Sequence, residues 1–518
     1  MPIHPAIAPV FAARNIEFDE NTGVAWRAGQ ILAPSSWQGE IMAKITGAAV
    51  GREEGSIWLF TVPSVEVALQ EGRAAGIPVQ RNHVFFTHGF TSNPLMGGNP
   101  LMGGNPLMGG NPLMGGNPLM GGNPLMGGNP LMGGNPLMGG NGFVDNDGNW
   151  VMHKPTASTA VPVGKEPPEW SGKAADPNLR VGILDTGIQT LLVDETTGER
   201  EVEHERLRTH VELHDDWKTA DNIDDDGDPT TDEEMIIDED ELNRLPDDEY
   251  LDRAAGHGTF IAGIVRRLAP VATIVAQGTV SSFGEADDFS LKVALHEMVG
   301  SSSSKDDEDE PSEVEKPKPP QIINMSFGGY TEDDEVPIGI HSEIVAALTG
   351  EDGVYGNNDD IVFVASAGND GDSRPSWPAA LPDVIAVAAS TPQGYPAWFS
   401  NWGHWVDAIA PGVNVLSTFV QSPARTHGKV PAVELFDDDD LARFAEAGED
   451  VPIVWDAPED YRGWAIWSGT SFAAPKVVAA IAREIAATGA PAKVAAHAVV
   501  RAHGKIRIPY YGTVVNLL

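Results

Sequence analysis

Between Asn93 and Gly140 the hexapeptide Asn-Pro-Leu-Met-Gly-Gly repeats eight times without a deviation. Each unit carries a proline, which lacks a backbone donor, and two adjacent glycines, which break helix and strand alike. A parallel β-helix also uses six-residue units, but here proline would remove one donor from every unit. The segment therefore reads as a tether between two folded parts. As a Gly-rich coil it would span roughly 35–40 Å r.m.s.. The expected organisation is a leader at 1–13, a small domain at 14–92, the tether at 93–140, a connecting segment at 141–175 and a large domain at 176–518.

In the small domain, Gly23–Trp26 and Gly29–Ala33 read as strands, followed by a helix-like stretch from Ser36 to Ala48. Ser56–Val62 is rich in β-branched and aromatic residues and reads as a further strand. Ser64 is placed to cap a helix running to Ala75, which Gly76-Ile77-Pro78 stops. Val79–Phe86 is the last strand. The pattern is that of a small α+β sandwich.

From Asp176 onward, apolar strands alternate with amphipathic helices, the signature of an α/β domain whose mostly parallel sheet is covered on both faces. Leu179–Leu184, Ala272–Ala276, Ile361–Val364 and Val384–Val387 read as its buried strands. Three acidic insertions interrupt the pattern, at Asp221–Glu249, Ser301–Pro320 and Thr418–Tyr461, the second with the composition of a disordered segment.

Those insertions contribute to a formal net charge of −42, from 75 acidic and 33 basic residues. A field of that sign repels nucleic acid and anionic membranes, so neither is an expected partner. The chain has no cysteine, which excludes disulfides, thiolate metal sites and a cysteine nucleophile. No apolar run reaches the roughly 18 residues of a membrane-spanning helix. The first residues lack the basic and apolar regions of a secretory signal, so a cytoplasmic location is expected, with export by another route as the alternative.

One acidic stretch has ligand spacing. In Asn222–Glu233, Asn222, Asp224, Asp226 and Asp228 supply oxygens at alternate positions, Gly227 stands sixth and Glu233 twelfth. That is the EF-hand loop pattern for calcium, although Pro229 departs from it. A solvated acidic loop is the alternative reading.

The residues that carry chemistry lie elsewhere. Asp185 directly follows an apolar strand in Leu184-Asp185-Thr186-Gly187, which puts a carboxylate at the carboxyl end of the sheet. His257, in Gly256-His257-Gly258-Thr259, opens a buried helix. Ser471, in Gly469-Thr470-Ser471-Phe472-Ala473-Ala474-Pro475, stands at the start of another, beside free backbone N–H groups and the positive end of the helix dipole. Asn369, in Ala367-Gly368-Asn369-Asp370, follows the strand at 361–366. Together these supply a nucleophile, a base, a carboxylate to orient the base, and two oxyanion donors: the Asn369 amide and the Ser471 N–H. Each motif alone is weak; all four in order are specific.

At these residues the chain resembles the subtilisin-like serine proteases, or subtilases. The order Asp, His, Ser is theirs and differs from that of chymotrypsin. Further segments resemble the family over 176–518: Ile322–Gly329, Trp377–Val387, Phe399-Ser400-Asn401-Trp402-Gly403, Ala410–Val413 and Tyr511–Asn516. Sedolisins share the serine motif but pair it with glutamate and aspartate, which the Asp185 and His257 motifs do not fit.

The resemblance implies a three-layer subtilisin-like domain that hydrolyses peptide bonds, with a protein or peptide as substrate and no cofactor required for the chemistry. It implies that Ser326, Phe327, Gly328, Ser366, Ala367 and Gly368 line the substrate cleft, with Ser376 near the floor of the specificity pocket. No acidic residue in those segments calls for a trypsin-like preference. The short connection Val265–Val271 lacks the calcium loop of many relatives, and Phe472 stands where methionine is common. Residues 14–92 resemble a subtilase propeptide, which implies an N-terminal domain acting in cis as inhibitor and folding aid. A catalytically silent binding module and an acidic cation-binding scaffold on the same fold are the competing functions.

Overall fold

A computed structural model describes residues 8–19, 21–87, 142–144, 150–152, 160–163, 170–194, 199–213, 251–300, 318–349, 354, 361–425, 460–502 and 505–515. The hexapeptide tether, the Asn222–Glu233 loop and most of the three acidic insertions lie outside these residues.

The apolar runs of the large domain pair as one nine-stranded sheet. In spatial order it holds Val211–Leu213, Ala272–Gly278, Asp176–Asp185, Ile322–Met325, Val362–Ser366, Val384–Ser390, Ala408–Pro411 and Gly512–Val514, with Arg507–Ile508 at the edge. Neighbours run parallel except for that last pair. Continuous apolar strands of this kind demand cover on both faces. On one face Ile183, Val364 and Val387 pack with Phe260, Ile261 and Val265 of the helix His257–Leu268 and with Val477, Val478 and Ile481 of the helix Ala474–Thr488. On the other, Ile323, Met325 and Phe363 pack with Leu291 and Leu295 of the helix Asp288–Val299 and with Ile340 and Ile344 of the helix Ile338–Thr349. The result is a three-layer α/β architecture, as the resemblance implies.

The third acidic insertion is narrower than the composition suggests. Its flanks form an antiparallel pair, Val415–Arg425 with Asp460–Trp467, which adds the short strand Val161–Pro162. Ser417 and Thr418 are adjacent and both buried, so the sequence lacks the apolar alternation that would have marked a strand.

The N-terminal region is α+β. Val24–Pro34 is one strand where two were expected, paired with Ile16–Asp19, Ile57–Thr61 and Gln80–Thr87. The helix expected over Ser36–Ala48 is reduced to Gln38–Lys44, and an unforeseen strand, Ala49–Glu54, follows it. The helix Val65–Ala75 forms as read, with the Ser64 hydroxyl accepting from Val67 N–H and Gly76 closing it in the left-handed conformation.

This N-terminal sheet continues into the large domain through the strand Gln80–Thr87. One edge of that strand pairs antiparallel with Glu285–Asp287 and the other with Phe327–Gly328, so Phe86 is bracketed by Glu285 and Gly328. Thr87 N–H also donates to the Gly284 carbonyl at 2.7 Å. The Phe85 side chain is fully buried among Leu291, Phe327 and Trp377, inside the core of the large domain. Burying a side chain of that size is worth about 1.5–3 kcal/mol. Leu32 and Ile57 pack in turn on Phe289 and Val293.

Polar groups complete the junction at the starts of two helices, where backbone N–H groups lack internal partners. Asn82 Oδ1 accepts from Phe289 N–H at 3.1 Å, and its amide donates to Asp287 at 2.9 Å. Gln80 Oε1 accepts from Ile338 N–H at 3.1 Å and its amide donates to the Val336 carbonyl at 3.0 Å. Arg27 pairs with Asp287 at 3.1 Å, and Arg14 with Glu285.

Candidate active site

Asp185 ends the strand Asp176–Asp185, and His257 is the first residue of the helix His257–Leu268. The two side chains meet, with His257 Nδ1 2.7 Å from Asp185 Oδ1, and both are essentially inaccessible to solvent. Thr186 N–H donates to the same carboxylate oxygen at 2.9 Å, and the Thr186 hydroxyl accepts from Gly258 N–H at 2.9 Å. The backbones touch here as well. A Cβ on Gly258 would stand 2.1 Å from the Gly187 carbonyl oxygen, so only glycine fits at 258.

The imidazole is boxed by rings. Trp467 meets it edge-on at 5.5 Å and Phe472 lies at 5.2 Å, while Phe260 backs Phe472 at 4.6 Å. This packing and the Asp185 contact fix the ring plane. His257 Nε2 is buried and has no hydrogen-bond partner among the described residues.

Ser471 lies in a single 3₁₀ turn, Thr470–Phe472, rather than in the α-helix. The helix begins three residues later, with Pro475 in its first turn, where proline is favoured. The Ser471 hydroxyl donates to the Ser326 carbonyl at 2.9 Å, and the Ser326 hydroxyl donates to the Ser471 carbonyl at 2.9 Å. Asn324 Nδ2 donates to the same Ser326 hydroxyl at 2.9 Å.

Asn369 is oriented from the serine turn. Its Oδ1 accepts from Thr470 N–H at 3.0 Å and from the Thr470 hydroxyl at 2.9 Å, so its Nδ2 is the donor end. The Thr470 hydroxyl also accepts from Gly368 N–H at 3.2 Å. Thr470 thus ties the Ser471 turn to the Asn369 loop, a role that sequence reading did not assign to it.

Of the six expected cleft residues, Ser326 contacts Ser471 directly, and Phe327 and Gly328, next in sequence, pair with the N-terminal strand. Ser366, Ala367 and Gly368 end the strand Val362–Ser366 and lead into Asn369. Ser376 is buried next to Trp377, which bridges Gly329. Asn222, Asp224, Asp226, Asp228 and Glu233 lie outside the described residues, and no other cluster of three metal-ligating side chains occurs among the described ones. No described helix is long and apolar enough to cross a membrane.

Asp370, next to Asn369, is buried and accepts from the Tyr330 hydroxyl at 2.7 Å. Burial pushes its carboxyl up to about 6, and burial beside Asp370 pushes the Tyr330 phenol well above its usual range.

The chain is similar to several known proteins. The family model described as "Subtilase family" matches residues 176–503. The minor extracellular protease Epr of Bacillus subtilis is 31% identical over 175 residues, covering 32% of this chain and 22% of its own. Cerevisin of Saccharomyces cerevisiae is 32% identical over 184 residues, 35% of this chain and 26% of its own. The chain thus spans about a quarter of the length of these curated relatives. Among solved structures, a cold adapted subtilisin-like serine proteinase aligns with a TM-score of 0.39 at 16% identity, over 69% of this chain and 96% of that one. A lanthipeptide protease aligns at 0.40 and 18% identity, over 66% and 86%. With a family model matching well over half its length and an Asp–His pair, serine turn and asparagine loop gathered around one buried centre, the chain belongs to the subtilase family.

Proposed function

We propose that the protein is a serine endopeptidase made as an autoinhibited precursor. The observation that carries this reading is the buried 2.7 Å contact of His257 Nδ1 with Asp185, which leaves Nε2 as the basic nitrogen. In the reaction, the Ser471 hydroxyl turns from the Ser326 carbonyl to His257 Nε2 and gives up its proton as Oγ attacks the scissile carbonyl. Asp185 holds the Nδ1–H tautomer and stabilises the imidazolium. Asn369 Nδ2 and the Ser471 N–H receive the negative charge that develops on the carbonyl oxygen. His257 then protonates the leaving amine, and water releases the acyl group by the reverse sequence. No cofactor takes part. A fluorophosphonate tests this directly: it should label Ser471 in residues 141–518 and leave Ser471→Ala unlabelled. Absence of labelling in the unsubstituted protein, shown to be folded by circular dichroism, overturns the assignment.

The inhibitory role of the N-terminal domain is supported by the strand Gln80–Thr87. It occupies the edges that a substrate chain would use and points its carboxyl end toward Ser471. Added as a separate chain, residues 1–92 should inhibit residues 141–518 in the micromolar range or tighter, and the tether would make the same contact effectively unimolecular. If they neither inhibit nor aid refolding, the domain has another job.

A further inference from the structure

Asn369 must present its amide in one direction to receive an oxyanion, and its own contacts with Thr470 fix only the far end of its side chain. The backbone on either side of it is held by one buried residue from a different segment, through its backbone and its side chain. Asn401 N–H donates to the Gly368 carbonyl at 2.9 Å, just before Asn369. Asn401 Oδ1 accepts from Asp370 N–H at 2.9 Å, just after it, and from Asp372 N–H at 3.1 Å. Asn401 Nδ2 donates to the Tyr330 hydroxyl at 3.2 Å, and that hydroxyl donates to Asp370. Gly368 has a φ of +112°, and a Cβ there would stand 2.2 Å from Asn401 Nδ2, so the amide lies directly under the loop.

The segment around Asn401 is itself anchored. Ala389 N–H donates to the Ser400 hydroxyl at 2.9 Å, Gly371 N–H to the Phe399 carbonyl at 2.7 Å, and Trp402 N–H to the Asp372 carbonyl at 2.9 Å. Asn401 therefore transmits the position of a strand end in the central sheet to the residues on both sides of Asn369.

We propose that Asn401 is a positioning residue for the oxyanion site, setting the direction of the Asn369 amide without touching substrate. This rests on the reading of Asn369 as an oxyanion donor. Displacing a catalytic group by about 1 Å costs on the order of 10²-fold, so Asn401→Ala should lower kcat about tenfold to a hundredfold with KM within about twofold.

A double-mutant comparison decides the matter. The full chain, freed of residues 1–92 by limited proteolysis within the tether, is assayed on succinyl-Ala-Ala-Pro-Phe p-nitroanilide per active site, titrated with a fluorophosphonate, in wild-type and Asn369→Ala backgrounds. The proposal expects Asn401→Ala to lower kcat in the first background and to have almost no further effect in the second. An equal loss in both backgrounds, or none in the first, overturns it. An undiminished kcat in Asn369→Ala alone would instead overturn the oxyanion reading. Tyr330→Phe removes a single oxygen from the same network and gives the comparison again, with smaller amplitude, if Asn401→Ala does not fold.

Discussion

Thr87 pairs with Phe327, the residue that follows the serine whose carbonyl holds the Ser471 hydroxyl. The N-terminal strand thus ends beside the segment that contacts Ser471, and each further residue of an extended chain advances by about 3.3 Å.

That pairing buries Phe85 as an apolar anchor of the N-terminal domain in the core of the large one. Phe85→Ala in separately added residues 1–92 should lose about 3–5 kcal/mol of docking energy, raising the inhibition constant by 10²-fold or more. Steady-state inhibition of residues 141–518 measures it. An unchanged constant would mean that the backbone pairing alone carries the affinity.

Loss of the nucleophile should be nearly complete. Ser471→Ala is expected to reduce kcat by about 10⁶-fold, and Asn369→Ala by about 10²–10³-fold, both on the scale set by subtilisin itself. Circular dichroism should show both variants folded. Hydrolysis that persists in Ser471→Ala would remove the mechanism.

Docking should weaken in alkali. His296 Nδ1 lies 2.9 Å from Glu343 Oε1, and its Nε2 lies 3.7 Å from Glu54 of the N-terminal domain, with Lys292 beside Glu343. The Glu343 hydrogen bond, then the charges of Glu343 and Glu54, raise the His296 imidazole above its usual range against burial and Lys292. A raised histidine contributes its stability in full below the ordinary value and loses it as pH rises through the folded one. The Glu54 share belongs to docking. The affinity of residues 1–92 should therefore fall as pH rises above about 6.5, and His296→Gln should flatten that dependence. An identical profile in the variant would assign the effect elsewhere.

Asp370 should leave a signature in the stability of the fold. Its carboxyl is raised by burial to about 6, so the folded state holds a proton that the unfolded state has released. The stabilising effect is complete below the ordinary value near 4 and is lost as pH rises through 6. Relative to wild type, the Tm of Asp370→Asn should climb between about pH 4 and pH 7. A pH-independent difference in Tm would show that the carboxylate stays ionised throughout.

The central sheet was legible because buried parallel strands announce themselves as apolar runs, and Leu179–Leu184 and Val384–Val387 fall inside strands as read. The strand Ala49–Glu54 was not, because its residues are exposed or half-buried and it is held by pairing with Ile57–Thr61 rather than by an apolar face. Asp185, His257, Asn369 and Ser471 were legible as short motifs whose residue types leave few roles. Thr470 and Asn401 stood in the same or similar motifs without a role, because their work is hydrogen bonding to backbone, which only the folded register reveals. The partner of the Ser471 hydroxyl is likewise a matter of rotamer and of the neighbouring Ser326 carbonyl, neither of which has a sequence signal.

Gly187 and Gly258 lie in backbone contact although Asp185 and His257 are 72 positions apart, so the chain between them, which also adds the edge strand Val211–Leu213 to the sheet, closes on itself at a staple. The entropic cost of such a closed excursion grows only with the logarithm of its length, about 0.6 kcal/mol for each doubling. Added sequence there changes the circumference and leaves the staple where it was. The acidic stretch inserted between Asp221 and Glu249 therefore loads the molecule with charge at a point where length has no leverage over the distance between imidazole and carboxylate.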